Sequence, residues 1–558
     1  MTDVHHFRRR WRPVWLLLGL ATLLAACVLA PLASLAWEAS QGSAGLWQHL
    51  GRNVLPAAAS NTIVLLAGVG LLTTVLGAGC AWLVSAYRFP GQAILSWALL
   101  LPLAVPTYIV AYTYLDLLHP LGPIQETLRN LLGYDSPRQF RLPDIRSLGG
   151  AILLLGFVLY PYVYLTARMM FQTQAAGLLE AARTLGATRR DAFFRVALPL
   201  ARPAVAVGAS LALLETLNDI GASEFLGVQT LTVAVYNTWV SRSDLAGAAQ
   251  IALSMLLLVV LLIWLERHAR RRQRYATTQR PRPMQPTRVA GWRGWLLCAI
   301  ASLPVLLGFV LPAAYLLQQT LRYFDRHGAL SQQLTASAIN TISVAAVATL
   351  LTLAAGLLLA AARRLAPGRH DERLGLLALR IGSLGYAVPG TIVAIGLLAP
   401  MAWVDQGING ITAFWGDTPQ LWLMGSTAAL VLAYLIRFLA IAAGGIEAGY
   451  ARIPPALDRA ARSLGEDETG VLRRVHLPLL RPALFSAALL VFVDTMKELP
   501  ATLLLRPLNF ETLATWLYAE AARGTYEEGA VAALAIVTAG LLPVILLARA
   551  GSRPVIAP

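Results

Sequence analysis

Four acidic residues stand in this sequence where long apolar runs end. Glu215 and Asp219 close one run, and Asp494 and Glu498 close another, 279 residues later in a chain of 558. The members of each pair are four residues apart, which on a helix would put both carboxylates on one face. Acidic groups within a membrane are costly and usually face a cavity or pathway. Four carboxylates would suit a hard, oxygen-seeking cation. With a rise of about 1.5 Å per residue from Ala201, Glu215 falls roughly 20 Å along its helix, in the outer half of a bilayer. The expectation is a cation pathway lined by Glu215, Asp219, Asp494 and Glu498. The competing reading is that they cap helix ends or pair with Lys497, the sole lysine of the chain.

The elements that must position these groups are membrane spans. The chain is 57% hydrophobic and 13% charged, against about 25% charged in soluble domains. Apolar runs long enough to cross a bilayer fall near 14–37, 57–86, 94–118, 149–170, 203–220 and 246–265. A second set falls near 294–317, 338–362, 374–400, 423–446, 482–497 and 528–548. The fold expected is therefore all-α and polytopic, with about 12 transmembrane helices in two six-helix halves, 1–266 and 294–558. Residues 267–293, rich in Arg, Pro and Gln, read as a solvated basic linker.

The net charge of +16 would suggest nucleic acid in a soluble protein. Here the arginines gather between alternate spans, so topology accounts for them, and no nucleic-acid partner is expected. By the positive-inside rule both termini are cytoplasmic. Cys27, Cys80 and Cys298 sit inside apolar runs, and the eight histidines are scattered; neither set has metal-ligand or disulfide spacing. Arg8-Arg9-Arg10 and the run from Val14 to Cys27 resemble a secretory or lipoprotein leader. The run continues to Trp37, too long for a signal core, and reads as an uncleaved first span.

The two halves repeat one another at an offset of 279: Asn61-Thr62-Ile63 matches Asn340-Thr341-Ile342, and Glu215-Thr216 matches Asp494-Thr495. Val105-Pro106 pairs with Val388-Pro389 at a slightly larger offset. Two halves with even helix counts share one orientation, as in parallel repeats about an axis along the membrane normal. Two charged loops, 174–203 and 453–482, repeat as well. Glu180-Ala181-Ala182-Arg183-Thr184-Leu185-Gly186 matches Arg459-Ala460-Ala461-Arg462-Ser463-Leu464-Gly465, and Leu198-Pro199 matches Leu477-Pro478. In each, a helical turn is expected to end at the glycine, which reaches φ > 0 cheaply. Thr188 with Asp191, and Asp467 in the second copy, have the residue types of N-caps. Two such loops on one face of the protein suggest docking sites for a soluble partner.

Glu-Ala-Ala, a glycine four residues on and a closing Leu-Pro resemble the signature loop of ATP-binding-cassette importer permeases. Glu180 to Pro199 matches throughout; the second copy keeps Ala460, Ala461, Gly465 and Pro478 but has Arg459 in place of the acid. The resemblance implies a type I, binding-protein-dependent importer with both permease halves fused, in a bacterial inner membrane. It also implies a coupling helix in each loop, two partner ATPase subunits and a periplasmic binding protein. The chain has no phosphate-binding Gly-x-x-x-x-Gly-Lys-Ser/Thr loop. ATP and Mg are expected on the partners, with no cofactor and no catalysis in this chain. Lys497-Glu498-Leu499-Pro500 to Thr515, and Leu217-Asn218-Asp219-Ile220-Gly221 to Thr230, resemble the ferric-iron branch, which implies an iron-binding protein as donor. Thiamine or phosphonate permeases and, more distantly, a proton-coupled secondary transporter are the alternatives.

Overall fold

The computed structural model describes residues 12–43, 45–173, 182, 184–271, 286–366, 368–416 and 418–552. Most of them are helical, as expected of a chain whose backbone polar groups have to be satisfied without water. Among the described residues, 11 helices are long and apolar enough to cross a membrane, or up to 12 if a bent pair is one span.

Two expected spans are corrected. The run at 94–118 is broken: a helical arm from Gln92 to Ala104 meets Thr107–Leu117 at 92°. The run at 374–400 is likewise split between Arg369–Gly382 and Gly390–Thr412. Both breaks fall at the repeated Val-Pro, where Val105 and Val388 are extended. A residue before proline is pushed out of the α region, so the break is local in origin.

The described residues form two compact units, and these do not follow the two sequence halves. One comprises 1–47, 235–253 and 332–515; the other comprises 48–234, 254–331 and 516–558. The first is built on Gln332–Arg364, Thr427–Tyr450 and Leu477–Met496, packed pairwise, with Arg12–Gln41 lying against Arg369–Gly382 and Gly390–Thr412. The second is built on the repeat-related trio Leu55–Ala86, Leu148–Thr173 and Leu198–Asn218. It also takes in Leu311–His327, which packs on Tyr526–Ser552. Each unit thus contains the first helix of the other sequence half.

Within each trio a repeated glycine permits close approach. A Cβ on Gly77 would lie 2.8 Å from the Tyr160 carbonyl oxygen, and one on Gly356 would lie 3.0 Å from the Ala443 nitrogen. Small residues at such crossings let helices associate through backbone contact. The linker is not wholly solvated. Its end forms a short strand, β2 (Thr287–Arg288), parallel to β1 (Tyr87–Arg88), with Val289 N–H donating to the Arg88 carbonyl at 2.8 Å.

Candidate functional site

The loop glycines adopt the conformation expected of them. Gly186 has φ +88° and Gly465 φ +90°. In the first loop Ala187 N–H donates to the Ala182 carbonyl at 3.0 Å; in the second Glu466 N–H donates to Ala461 at 3.1 Å. A bond of this span around a left-handed glycine is a Schellman closure, which satisfies carbonyls left over at a helix end. The following turn is capped as expected. The Thr188 hydroxyl accepts from Asp191 N–H at 3.2 Å and donates to its carboxylate at 2.6 Å, and this bond holds Asp191 below the usual carboxylate range. In the second copy Asp467 accepts from Gly470 N–H at 2.7 Å. Pro199 and Pro478 each lie just past a π-helical turn, Ala192–Ala197 and Leu472–His476, within one continuous helix, and the widened turn accommodates the missing N–H.

Glu180 and Ala181 lie outside the described residues. In the second loop the helix Pro455–Ser463 exposes Arg459 and Ala460 and buries Ala461 against Ala361, Leu365 and Val471. The leucine before each glycine points away from all packing: Leu185 is 88% exposed and Leu464 85%.

A buried polar latch holds the second loop. Arg364 Nε donates to Asp458 Oδ2 at 2.9 Å, and Asp458 Oδ1 lies 3.0 Å from His476 Nε2. Tyr450 Oη lies 3.3 Å from the other imidazole nitrogen. Burial pushes the Asp458 pKa upward, but Arg364 and His476 outweigh it and hold the carboxyl below its ordinary value. At the 279 offset, the counterparts of Arg364, Tyr450, Asp458 and His476 are Ser85, Phe171, Leu179 and Ala197. The latch therefore belongs to one loop alone, and only comparison of the copies at non-signature positions could have found it.

The four acids divide into two kinds. Asp219 does not share a helical face with Glu215, because that helix ends at Asn218 and Asp219 is extended. Its buried carboxylate caps the next short helix, Gly221–Phe225, accepting from Ala222 N–H at 2.7 Å and Ser223 N–H at 3.3 Å, and it also accepts from the Thr107 hydroxyl. Glu498 likewise lies past the end of its helix at Met496. It caps Pro500–Leu505, accepting from Ala501 and Thr502 N–H and from the Thr502 hydroxyl, and it is paired with Arg437. Gly390 makes this pair possible, since a Cβ there would fall on the Arg437 guanidinium and 2.6 Å from Glu498 Oε1. Glu215 and Asp494 remain on their helices, both half-buried, with Asp494 2.7 Å from Lys497 Nζ. Among the described residues, no three His, Cys, Asp or Glu side chains gather as a metal site.

The repeated Asn-Thr pairs, whose purpose the sequence leaves open, pin the segment beyond each cap. Asn61 Nδ2 donates to the Gln229 carbonyl at 3.1 Å, and Thr62 Oγ1 accepts from Leu231 N–H at 2.9 Å. Asn340 and Thr341 do the same for the Glu511 carbonyl and Leu513 N–H, at 3.1 and 2.7 Å. Irregular backbone at membrane depth survives only where the protein supplies such partners.

Comparison with known proteins agrees with this build. Residues 73–275 and 354–553 each match the family model described as a binding-protein-dependent transport system inner membrane component. The chain is similar to the Fe(3+)-transport system permease protein FbpB 2 of Haemophilus influenzae, 24% identical over 88% of this chain and 89% of that one. The molybdenum permease ModB of Escherichia coli is 31% identical over 36% of this chain and 89% of its own. The sulfate permease CysT of Salmonella typhimurium is 30% identical over 37% and 72%. Transport systems of this kind work with a binding protein and an ABC ATPase, and their permeases are not themselves enzymes. With two family matches that together cover most of its length, the chain belongs to the binding-protein-dependent transport system inner membrane components, as a fused, multi-pass ABC permease.

Proposed function

We propose that this chain forms the path by which ferric iron, handed over by a periplasmic binding protein, crosses the inner membrane, driven by two ATPase subunits seated on the loops around Gly186 and Gly465. One observation carries the coupling reading. Leu185 and Leu464, equivalent in the repeat, are large apolar side chains left almost wholly exposed on short charged loops outside the candidate spans. Apolar groups on an ordinary soluble loop gain nothing from that position; apolar anchors with a polar rim are typical of protein interfaces. The arginine pattern supports placing these loops, and both termini, on the cytoplasmic side.

Iron as cargo is supported by the relative named for Fe(3+) transport, which matches along nearly its whole length. In this reading Glu215 and Asp494 face the pathway, while Asp219 and Glu498 hold its frame. Their carboxylates are committed to helix caps, so they act by shaping the path rather than by meeting the ion.

The test is uptake into proteoliposomes holding the chain, its ATPase and its binding protein. Ferric iron should accumulate with ATP, and equimolar sulfate or molybdate should not compete. Accumulation of an oxyanion instead of iron would leave the permease class standing and remove the cargo. Leu185→Ser with Leu464→Ser should cut ATPase co-purification at least tenfold without loss of thermal stability. Gly186→Val with Gly465→Val should impair coupling while membrane insertion continues. Parental iron uptake by Glu215→Gln with Asp494→Asn would dismiss the pathway carboxylates.

A further inference from the structure

The two-stranded ladder between β1 and β2 brings together two arginines from segments 200 residues apart, Arg88 and Arg288, as register partners. Adjacent strands run about 4.8 Å apart, and side chains of register partners leave the same face. Like charges so placed repel. Both side chains are exposed, and neither has an acidic partner among the described residues. The sequence supplies none nearby: no Asp or Glu occurs between Glu38 and Asp116, or between Glu266 and Asp325. A pair of exposed cations held together without a local acid can take up an anion from outside the chain.

The surroundings define what kind of anion. The arginines stand over a groove of about 520 Å³ whose walls are mainly apolar, formed by Phe89, Pro90, Ile94, Val289 and Ala290. The groove lies where the helices Leu55–Ala86 and Gln92–Ala98 meet and where Trp292–Val305 begins. That level is marked by exposed tryptophans, Trp292 at 70% and Trp295 at 65%. Tryptophans of this kind sit at membrane interfaces. Basic pockets beside spans at this depth take lipid headgroups.

We propose that Arg88 and Arg288 bind the phosphate of an anionic phospholipid whose glycerol and upper acyl segments lie in the Phe89–Ile94 and Val289–Ala290 groove. A free inorganic phosphate would use the charges and leave the apolar wall bare; a lipid uses both. The lipid would also hold the linker's end to the first half, since removing it restores the repulsion across the ladder. The second half has no equivalent, because the 279 counterparts of Tyr87 and Arg88 are Ala366 and Pro367.

The experiment uses the purified full chain, delipidated in detergent and offered equimolar phosphatidylglycerol and phosphatidylcholine, with retained lipid read by native mass spectrometry. The parental chain should retain phosphatidylglycerol in preference. Arg88→Gln with Arg288→Gln should lower that preference roughly thirtyfold, as expected for two interfacial charges at about 1 kcal/mol each. Arg88→Lys with Arg288→Lys should keep most of it, which separates lost charge from lost fold. Arg373→Gln with Arg380→Gln, on another helix, should change nothing. The proposal is overturned if the double glutamine variant keeps the parental preference, or if the remote pair lowers it equally. It also fails if millimolar inorganic phosphate displaces the lipid, or if the variant keeps its lipid but no longer co-purifies with the ATPase.

Discussion

The two acidic caps, Asp219 and Glu498, are the same device built with different chemistry. Asp219 is met by two amides and the neutral Thr107 hydroxyl, whereas Glu498 is met by two amides, the Thr502 hydroxyl and the Arg437 guanidinium. Three sequence differences carry the change. Threonine at 107 becomes glycine at 390, valine at 158 becomes arginine at 437, and aspartate becomes the longer glutamate. The second loop repeats the tendency, with an Arg-Asp-His latch where the first copy has Ser85, Leu179 and Ala197. One half thus pairs its carboxylates at these two places with cations, where the other has a hydroxyl partner or uncharged residue types. Duplicated halves can keep a backbone while dividing its electrostatics unequally.

The largest expected effect probes the charged junction. Arg437→Met leaves Glu498 buried beside uncharged neighbours and should cost about 3–5 kcal/mol, the usual penalty for orphaning one member of a buried pair. A fall in the thermal midpoint of the detergent-solubilised chain is the readout, and adding Glu498→Gln should restore part of it. The comparison breaks if Arg437→Met is neutral. It sharpens if Gly390→Thr, Arg437→Val and Glu498→Asp together approach parental stability, because the two solutions would then be interchangeable.

The latch comes next. Asp458→Asn should cost roughly 1.5–3 kcal/mol, the range for hydrogen bonds to charged groups. The Asp458 pKa is depressed in the folded chain, so its contribution is fully present above the ordinary carboxylate value near 4 and is lost as pH falls through the lower folded value. The stability gap between parent and variant should therefore be present above the ordinary carboxylate value near 4 and shrink below about pH 4. A gap that grows on acidification would reverse the assignment.

Gly390→Ala should cost about 1–3 kcal/mol by overpacking against the Arg437–Glu498 pair, and should become nearly harmless once Arg437 is removed. The smallest effect belongs to the first half. Thr107→Val removes one of three bonds to Asp219 and should cost about 1 kcal/mol. If Thr107→Val costs as much as Arg437→Met, the two junctions do not differ in the way described.

Much of this was legible in the sequence, and the misses have physical causes. The repeat, the loop glycines and the caps at Thr188 and Asp467 were readable because each depends on a few adjacent residues. The breaks at Pro106 and Pro389 were hidden by unbroken apolar composition, although the proline rule at Val105 and Val388 signalled them. Spacing alone places Asp219 and Glu498 on helix faces, because it does not report where a helix stops; capping, the competing reading, depends on Ala222 and Ala501, one turn further on. Partners such as Arg437 for Glu498, or Arg88 for Arg288, are 61 and 200 residues away. No local pattern encodes such contacts.

The assignment of Arg12–Gln41 to the unit that holds Gly390–Thr412 has a consequence in time. At a synthesis rate of about 5–20 residues per second, the first helix precedes its packing partner by roughly 370 residues, or about 20 to 75 s. The helix Arg12–Gln41 is thus made long before part of its seat exists, and its full packing waits on residues as far along as Thr412.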